Sequence, residues 1–343
     1  MKALVLEEYG KLVYKEVAQP IPDHGEVVIS VKAVGICGSD VHGMDGSTGR
    51  RIPPVIMGHE AAGVIEETGR GTNGWKVGDR VTFDSTIYQL DDWYSRKGLY
   101  NLSDHRKVMG VSCSEFKKDG AFAEYVTVPQ HILYRIPDNV SFEHAAMVEP
   151  IAVALHAINL TDISINDSVV VGGAGMIGLF LIQLLRLYGC GKILVFDIDE
   201  GRLSLARKLG ATHTFVAGRD DIVTDVKTLT KGRGADVGFE VVGISSVVNT
   251  VIDTMKKGAQ ITLVGNVSGS IDFPLQKVVT RQLKVQGSCA ICGEYEQVLD
   301  LISRGEIEID ALISVVAPLE EGAGWFNKLF NREEGLMKVI LKP

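Results

Sequence analysis

The sequence predicts an α/β protein of two domains, one built from short antiparallel strands and the other a doubly wound parallel sheet. Three observations predict this class: a length of 343 residues, a change in hydrophobic pattern near residue 143, and a glycine-rich turn after an apolar strand. A single hydrophobic core rarely grows beyond about 250 residues, so two domains of about 150 residues each are expected.

The first 150 residues have the pattern of antiparallel β structure. Short runs rich in Val and Ile are separated by turn residues, which is typical of strands joined by tight connections. The clearest runs are "EVVISVKAVG" (26–35), "AAGVIEETG" (61–69), "DRVTF" (79–83) and "AFAEYVTV" (121–128).

Beyond residue 143 strands alternate with helices. "FEHAAMVEPIAVALHAINL" (142–160) has apolar residues at helical spacing. Four nearly continuous apolar runs follow, which predict parallel strands buried on both faces in βαβ units. They are "SVVVGG" (168–173), "KILVFDID" (192–199), "DVGFEVVG" (236–243) and "QITLVGN" (260–266).

The last 50 residues are too few for a third domain. They contain a predicted helix in "EYEQVLDLISRGEI" (294–307) and a predicted strand in "KVILKP" (338–343). We expect this segment to return to the first domain.

Charge and cysteine content exclude several classes of function. The net charge of -8 argues against a nucleic-acid partner, which requires clustered Lys and Arg. Five irregularly spaced cysteines favour reduced thiols in the cytoplasm over a disulfide framework, and "CAIC" (289–292) is interpreted as incidental. The sequence has no visible signal peptide. The uncharged stretch 168–185 is long enough for a membrane span, but its four glycines favour a strand that turns into a buried helix.

The glycine-rich turn has the spacing of a dinucleotide-binding loop. Gly173, Gly175 and Gly178 form G-x-G-x-x-G between a strand and a helix, and Asp197 ends the next strand 19 positions later. The loop would hold a pyrophosphate at the helix N-terminus, while the carboxylate would bind ribose hydroxyls and repel a 2′-phosphate, so NAD is favoured over NADP. The alternative is a simple turn with Asp197 as a helix cap. Arg202 is either an adenine contact or a solvated helix residue.

A second group of residues has the composition of a catalytic zinc site. Cys37 in "GICGSDVH" precedes His59 and Glu60 in "GHEAAG" by 22 and 23 positions, and a catalytic zinc site takes three protein ligands from Cys, His and carboxylate and leaves one position open. A thiolate and a carboxylate together cancel the charge of the ion. Glu149 in "MVEP" is a further carboxylate that could bind the metal or hold its water. Each residue taken singly is more simply a core residue, and only the combination predicts a metal.

In order along the chain, "GICGSDVH", "GHEAAG", "VGDRV", "GAFAEYV", "MVEPIAVALHA" and "VGGAGMIG" give a sequence that resembles the zinc-containing medium-chain dehydrogenases. More narrowly, it resembles the sorbitol and polyol dehydrogenase branch. The resemblance implies a GroES-like, partly open β-barrel catalytic domain (1–150 and 290–343) and a Rossmann NAD-binding domain (151–289). It also implies a cleft that holds zinc and nicotinamide, a polyol substrate, and a homodimer or homotetramer.

The same resemblance implies roles for individual residues. Cys37, His59 and Glu60 match the catalytic zinc positions, Glu149 the nearby acid, and Ser39 and His42 the proton relay. The residues that it places at the cofactor are Gly173, Gly175, Met176, Ile177, Gly178, Asp197, Arg202 and Val264.

One departure from the family concerns its second, structural zinc. The family often binds this ion with four cysteines in a lobe, and here those places hold Gln89, Asp92, Ser95 and Ser103. None offers a thiolate, so we predict one zinc per chain. We expect the lobe to be held by packing of its aromatic side chains and to be more mobile than in relatives. These side chains are Trp93, Tyr94 and Tyr100.

The predicted reaction is the transfer of hydride from a secondary alcohol to NAD, with zinc as Lewis acid and with Ser39 and His42 carrying the proton to solvent through the cofactor ribose. Three alternatives stay open at this point: a zinc-free reductase, a non-catalytic NAD-binding sensor, and a different substrate. That substrate could be a sugar-alcohol phosphate such as galactitol 1-phosphate, held by Arg50 and Arg51, or threonine. The arginine pair is otherwise a solvated loop.

Overall fold

The structure is a computed structural model that describes all 343 residues, and it contains 20 β-strands and ten α-helices. The strands are β1 (Lys2–Glu8), β2 (Lys11–Glu16), β3 (Glu26–Gly35), β4 (Val55–Ile56), β5 (Glu60–Thr68), β6 (Arg80–Phe83), β7 (Thr86–Ile87), β8 (Lys107–Val108), β9 (Val111–Ser112), β10 (Lys117–Lys118), β11 (Tyr125–Pro129), β12 (Leu133–Arg135), β13 (Ser168–Gly172), β14 (Lys192–Asp197), β15 (His213–Val216), β16 (Ala235–Glu240), β17 (Met255–Leu263), β18 (Lys284–Gly287), β19 (Ile313–Pro318) and β20 (Lys338–Lys342).

The helices are mostly short, and five single 3-10 turns accompany them. The α-helices are α1 (Gly38–Gly43), α2 (Phe142–Ala146), α3 (Val148–Asn159), α4 (Met176–Leu187), α5 (Glu200–Lys208), α6 (Ile222–Leu229), α7 (Ser245–Thr254), α8 (Leu275–Thr280), α9 (Tyr295–Ser303) and α10 (Gly322–Phe330). Side-chain caps begin several of them. Ser141, Asp199 and Asp221 accept hydrogen bonds from the third backbone N–H that follows each of them.

The chain folds as two compact units, one formed by residues 1–149 and 291–343 and the other by residues 150–290. In the first unit the main sheet has the strand order β12-β6-β5-β3-β20-β19, with β11 also paired to β3. Strand β20, from the end of the chain, runs antiparallel to β3. The C-terminal segment therefore completes a sheet that the N-terminal segment begins.

The core of the first unit lies against the central strands of this sheet. Val27, Ile29 and Val31 alternate along β3 with their side chains buried. Full burial of an aliphatic side chain of this size contributes about 1.5–3 kcal/mol to the free energy of unfolding. Val28, between Val27 and Ile29, is buried as well, so both faces of β3 are covered in this part of the strand.

The second unit is a six-stranded parallel sheet in the order β15-β14-β13-β16-β17-β18. Numbered within the unit this is 3-2-1-4-5-6, the order of a Rossmann fold. The predicted doubly wound parallel sheet is confirmed. Its carboxyl edge, where β13, β14, β16 and β17 end, is the edge at which such sheets bind ligands.

Two strands of this sheet do not appear among the sequence predictions. β15 (His213–Val216) and β18 (Lys284–Gly287) form its two edges and are only four residues long. An edge strand has a neighbouring strand on one side only and is more exposed than a central strand. Its sequence is therefore more polar and lacks the continuous apolar run that identifies a central strand.

The uncharged stretch 168–185 divides between β13 and α4, with the glycine turn between them. None of the helices combines the length and the apolar character that crossing a membrane requires. The apolar residues of this stretch are instead buried in the second unit, including Val169 and Leu181.

Candidate metal and cofactor sites

Cys37 lies just after β3 and caps the N-terminus of α1. Its Sγ accepts hydrogen bonds from the backbone N–H of Ser39 at 3.4 Å and from the Ser39 hydroxyl at 3.3 Å. The side chain is half-buried, so its sulfur combines a hydrogen-bonded position with access from outside. This is the environment of a ligand or reactive thiol, since a cysteine that only fills space has no need of donors at its sulfur.

His59 and Glu60 reach Cys37 because β5 pairs with β3. In this pairing Glu60 lies opposite Gly35, two residues before Cys37. Glycine is needed there because a Cβ at position 35 would collide with Glu60 Oε2. One ligand atom from each of Cys37, His59 and Glu60 lies within 4.8 Å of the other two. The three predicted zinc ligands therefore come together in space.

A buried ion pair supports the imidazole of His59. Asp40 is fully buried, and its Oδ2 lies 3.5 Å from His59 Nδ1. Its Oδ1 accepts hydrogen bonds from Arg51 Nη2 at 2.8 Å and Arg51 Nε at 3.2 Å. Burial raises the pKa of Asp40, but the charges of His59 and Arg51 outweigh it and hold the pKa at about 2. The carboxylate is thus ionised and orients the ring, which leaves Nε2 as the nitrogen for a metal.

Burial also acts on His59 itself. It lowers the pKa of the imidazole, but the negative charges of Asp40 and Cys37 outweigh burial and raise the pKa well above its ordinary value. A histidine must be neutral to bind a metal, so metal binding at this position would release a proton.

Glu60 has a partner of its own in the last strand. Lys338 on β20 places its Nζ 2.5 Å from Glu60 Oε2 and also donates to the carbonyl of Ile36 at 3.1 Å. Both side chains of this pair are almost completely buried. Burial lowers the pKa of Lys338, but the negative charges of Glu60 and Cys37 have the larger effect. The net result is a raised pKa, so the ammonium stays protonated.

These residues fit a zinc ion. Sulfur, imidazole nitrogen and carboxylate oxygen are the donors that zinc takes, and one such atom from each of the three residues lies within 4.8 Å of the other two. Asp40 Oδ2 and His59 Nδ1 are buried and face each other at 3.5 Å, and neither has another hydrogen-bond partner, so each is available to the other in a carboxylate–histidine pair.

Glu149 lies outside the three-residue cluster. It accepts a hydrogen bond from the Ser85 hydroxyl at 3.2 Å, and burial raises its pKa to about 7 despite the opposing influence of His59. Asp84, which precedes Ser85 in the chain, is also buried, and burial likewise raises its pKa to about 7. Burial therefore raises the pKa of both carboxyl groups, and the charge of Asp84 adds to the rise at Glu149.

Ser39 and His42 share one face of α1. They are three residues apart on the helix and both are exposed, whereas Asp40 and Val41 are buried. The hydroxyl of Ser39 lies next to Cys37 Sγ, and His42 lies one helical turn further along the same exposed face.

The glycine loop of the second unit follows β13 and leads into α4. Gly173 has a φ of +109°, which favours glycine, and a Cβ at Gly178 would collide with the carbonyl oxygen of Gly173. A Cβ at Gly175 would meet nothing within 4 Å, so its Cα faces open space at the helix N-terminus. The loop thus leaves room for a pyrophosphate beside the first residues of α4, Met176 and Ile177.

Asp197 and Val264 lie at the same edge of the sheet as this loop. The Asp197 carboxylate ends β14 and accepts a hydrogen bond from the backbone N–H of Ala174 at 2.7 Å. Val264 directly follows β17. The side chain that caps α5 is that of Asp199, not that of Asp197. Arg202 is half-exposed, and its Nε lies 3.8 Å from Asp199 Oδ2.

The lobe that includes Gln89, Asp92, Ser95 and Ser103 is held by hydrogen bonds as well as by the expected aromatic packing. The carboxylate of Asp92 accepts hydrogen bonds from the backbone N–H groups of Tyr94 (2.9 Å), Ser95 (3.2 Å) and Asp104 (3.3 Å). Trp93 is 60% exposed, but its ring packs edge-to-face on Tyr94 with centroids 4.8 Å apart, as expected, and Lys97 Nζ lies over it.

Tyr100 does pack, since its ring stacks on Tyr88 with centroids 4.3 Å apart and its hydroxyl donates to Asp84 at 2.8 Å. The lobe therefore combines two aromatic contacts, Tyr88 with Tyr100 and Trp93 with Tyr94, with a carboxylate that joins its two ends.

The arginine pair separates in the structure. Arg50 is exposed, whereas Arg51 is only 3% exposed and both of its hydrogen bonds to Asp40 use the guanidinium. Arg51 is therefore a buried structural cation.

Sequence reasoning missed Asp40, Ser85 and Lys338. Asp40 could have been found, since it stands inside "GICGSDVH" between Cys37 and His42. Lys338 carries no local signal, because it meets Glu60 only through the pairing of β20 with β3.

Comparison with known proteins adds two family models. The model described as zinc-binding dehydrogenase matches residues 177–304, and that described as alcohol dehydrogenase GroES-like domain matches residues 23–138. The chain is 34% identical to a D-xylulose reductase of Saccharomyces cerevisiae, over 99% of this chain and 97% of that protein. It is 29% identical to a sorbitol dehydrogenase of Bacillus subtilis, over 100% and 97% of the two chains.

A solved structure is similar over the whole length. The crystal structure of galactitol-1-phosphate dehydrogenase from Escherichia coli superposes with a TM-score of 0.92 at 27% identity and covers 100% of both chains.

Proposed function

The chain belongs to the zinc-containing medium-chain alcohol and polyol dehydrogenases, and from that premise we propose that Cys37, His59 and Glu60 bind the one zinc ion at which it oxidises a polyol with NAD. The protein is an oxidoreductase with a GroES-like domain and a Rossmann domain. The observation that carries the proposal is the convergence of a thiol, an imidazole and a carboxylate within 4.8 Å.

A zinc ion at these residues supplies Lewis acidity that lowers the pKa of an alcohol hydroxyl toward neutrality. The chain provides the surroundings. Cys37 and Glu60 would offer the ion two anionic donors, while Lys338 stays paired with Glu60 and Asp40 fixes the tautomer and orientation of His59. The hydroxyl of Ser39, beside Cys37 Sγ, is placed to accept the alcohol proton, and His42 on the same exposed face is placed to pass it to solvent.

Glu149 is proposed as a nearby acid that holds water. Its pKa of about 7 lets it exchange a proton near neutral pH, and the Ser85 hydroxyl fixes its orientation. We assign zinc binding and proton transfer to the first unit, residues 1–149 and 291–343, and dinucleotide binding to the second.

The preference for NAD is supported by Asp197. A carboxylate at the end of β14 accepts hydrogen bonds from ribose hydroxyls and repels the 2′-phosphate of NADP. The residues proposed to contact the dinucleotide are Gly173, Gly175, Met176, Ile177, Gly178, Asp197, Arg202 and Val264.

A single zinc per chain is supported by the lobe around Asp92. Its carboxylate already receives three backbone hydrogen bonds, and the other family positions hold an amide and two hydroxyls in place of thiolates. Oxygen donors of this kind do not form the tetrahedral sulfur site of structural zinc.

A homodimer or homotetramer is supported by the exposed edge of the second unit. β18 is an edge strand, and four large apolar residues that precede it are exposed. They are Val267 (62%), Phe273 (40%), Leu275 (64%) and Val279 (68%). An open strand edge with apolar neighbours is a common surface for pairing with a second copy.

The five free cysteines support a cytoplasmic location.

A phosphorylated substrate finds less support than a plain polyol. Of the two arginines suggested as phosphate ligands, Arg51 is buried and bonded to Asp40. Arg50 alone cannot supply a paired guanidinium site.

The proposal is tested by measuring NADH formation across sugar alcohols, their phosphates and threonine, with zinc-loaded and zinc-stripped protein. We predict that Cys37→Ala abolishes turnover and zinc binding but keeps NAD affinity, because the dinucleotide contacts other residues. Cys113→Ala is the matched control, since that cysteine lies outside the cluster, and it should keep the parent rate. Near-normal turnover by Cys37→Ala would contradict the ligand assignment.

A further inference from the structure

The second unit has a basic cavity of about 480 Å³ that the proposed reaction does not use. Five cations and one carboxylate line it, so positive charge exceeds negative by four. The charged residues are Lys227, Arg233, Lys257, Lys277, Arg281 and Asp253. This concentration contrasts with the net charge of -8 of the whole chain.

The basic cavity lies at the amino edge of the parallel sheet. Arg233 comes two residues before β16 begins, and Lys257 is the third residue of β17. The glycine loop follows the carboxyl end of β13, which is parallel to β16. A strand of six residues spans about 17 Å at about 3.3 Å per residue, so the basic cavity is separate from the dinucleotide loop.

Two of the five cations have partners. Lys277 Nζ lies 2.7 and 2.9 Å from the two carboxylate oxygens of Asp253. Arg281 donates to the carbonyls of Ile252 and Met255 at the end of α7. Lys227, Arg233 and Lys257 are exposed and have no side-chain hydrogen bond or ion pair.

Helix capping accounts for only part of this cluster. Cations near a helix C-terminus are favoured by the helix dipole, which explains Lys227 in the last turn of α6 and Arg281 at the carbonyls of α7. It does not explain Arg233, which lies in a loop, or Lys257, which lies in a strand. Like charges around one concave surface repel each other and produce a strong positive potential.

We propose that the basic cavity binds a small anion that carries two or more phosphate or carboxylate groups. Its volume lies in the range of about 300–1,000 Å³ that small-molecule sites occupy. The guanidinium of Arg233 can bind such a group in bidentate fashion, and the ammonium groups of Lys227 and Lys257 add point charges. Because these side chains are exposed, the affinity falls as ionic strength rises.

Calorimetric titration tests the proposal. Inorganic tripolyphosphate and, separately, citrate are added to zinc-loaded enzyme saturated with NAD, at low ionic strength. NAD occupies the glycine loop, so that loop cannot take the anion. We expect saturable binding of at least one of the two anions, one per chain, and the anion that binds more tightly identifies the preferred group.

Variants assign the binding to the basic cavity. Lys227→Glu combined with Lys257→Glu should weaken the affinity at least tenfold. Arg207→Glu combined with Lys208→Glu, in the last turn of α5 and outside the cavity, changes the net charge by the same amount; this matched control should keep the parent affinity. Removal of zinc by the anion would occur equally in both variants, so their difference reports the cavity alone.

Unchanged NAD affinity shows that each variant is folded. If the double variant loses NAD binding, Arg233→Gln replaces it with the same expected tenfold loss of anion affinity. The proposal is overturned if neither anion binds the parent saturably, or if the cavity variant binds as tightly as the α5 control variant. Neither result depends on turnover, so the test is independent of the proposed reaction.

Discussion

Asp40 connects the predicted zinc ligands to the interior of the first unit. One of its oxygens faces His59 and the other accepts both hydrogen bonds from Arg51, and all three side chains are buried. A buried carboxylate with a cation on each side is costly to disturb, because removal of one partner leaves an uncompensated charge.

We predict that Asp40→Asn lowers zinc affinity about 10–100-fold, since partners of a ligating histidine typically contribute this much to metal binding. The change keeps the size of the side chain and removes the charge that orients His59. Competition with a chelator of known affinity measures it. Asp45→Asn, an exposed carboxylate near α1, should bind zinc like the parent. Equal zinc affinity for both variants would show that Asp40 does not position His59.

Asp84 makes the stability of the first unit depend on pH. Burial raises its pKa from 3.8 to about 7. Between these values the folded chain keeps a proton that the unfolded chain has released, so stability falls as the pH rises through this window. Each such group changes the free energy of unfolding by up to about 1.4 kcal/mol per pH unit.

We predict that Asp84→Asn flattens the pH dependence of the unfolding free energy between about pH 4 and 7. Asparagine does not titrate, yet its amide can still pair with the Thr86 N–H and the Tyr100 hydroxyl, the partners of Asp84. Denaturant unfolding at a series of pH values measures the effect. Asp138→Asn, an exposed substitution, should follow the parent curve. If Asp84→Asn also follows the parent curve, Asp84 is ionised in the folded protein throughout this pH range.

At the scale of elements, the pairing of β3 with β5 assembles the candidate zinc site. It sets Glu60 against Gly35 and so brings His59 and Glu60 beside the residue that begins α1. Because side chains of helix α1 project from different faces, the residue that orients His59 and the residues proposed for proton transfer lie on different faces of the helix. Asp40 points into the unit, while Ser39 and His42 remain exposed for proton transfer.

The lobe around Asp92 shows how hydrogen bonds can join two ends of a loop. Its carboxylate receives backbone N–H groups from residues 94, 95 and 104. Burial raises the pKa of Asp92, but these hydrogen bonds outweigh it and lower the pKa below its usual value. The carboxylate is therefore ionised at neutral pH, which strengthens each of the bonds.

We predict that Asp92→Ala opens the lobe, because three backbone N–H groups lose their acceptor. Amide hydrogen exchange should become faster at residues 94, 95 and 104 than elsewhere in the first unit. Asp91→Ala changes the adjacent, exposed carboxylate and should leave exchange unchanged. Equal exchange in both variants would mean that aromatic packing alone holds the lobe.

Across the whole molecule, charge is distributed unevenly. The chain is acidic overall, yet the second unit gathers five cations around one cavity at the amino edge of its sheet. The carboxyl edge of the same sheet carries the glycine loop and Asp197. The two edges thus offer separate environments for anionic ligands, one through backbone N–H groups and the other through side-chain charge.

The sequence by itself determined the fold class, the central strands β13, β14, β16 and β17, and the identity of the three candidate ligands. Buried parallel strands require continuous apolar runs, and the glycine loop requires its glycines at fixed spacing, so these features are local and visible.

Only the tertiary structure decided what surrounds the candidate ligands. The edge strands β15 and β18, the pairing of Lys338 with Glu60, and the burial of Arg51 on Asp40 all depend on segments that meet in space. Lys338 and Glu60 are 278 positions apart, and nothing in the residues around either one records their contact. A pattern along the chain reports which face of an element is buried, whereas the partner of a buried charge is set by strand pairing over long sequence separations.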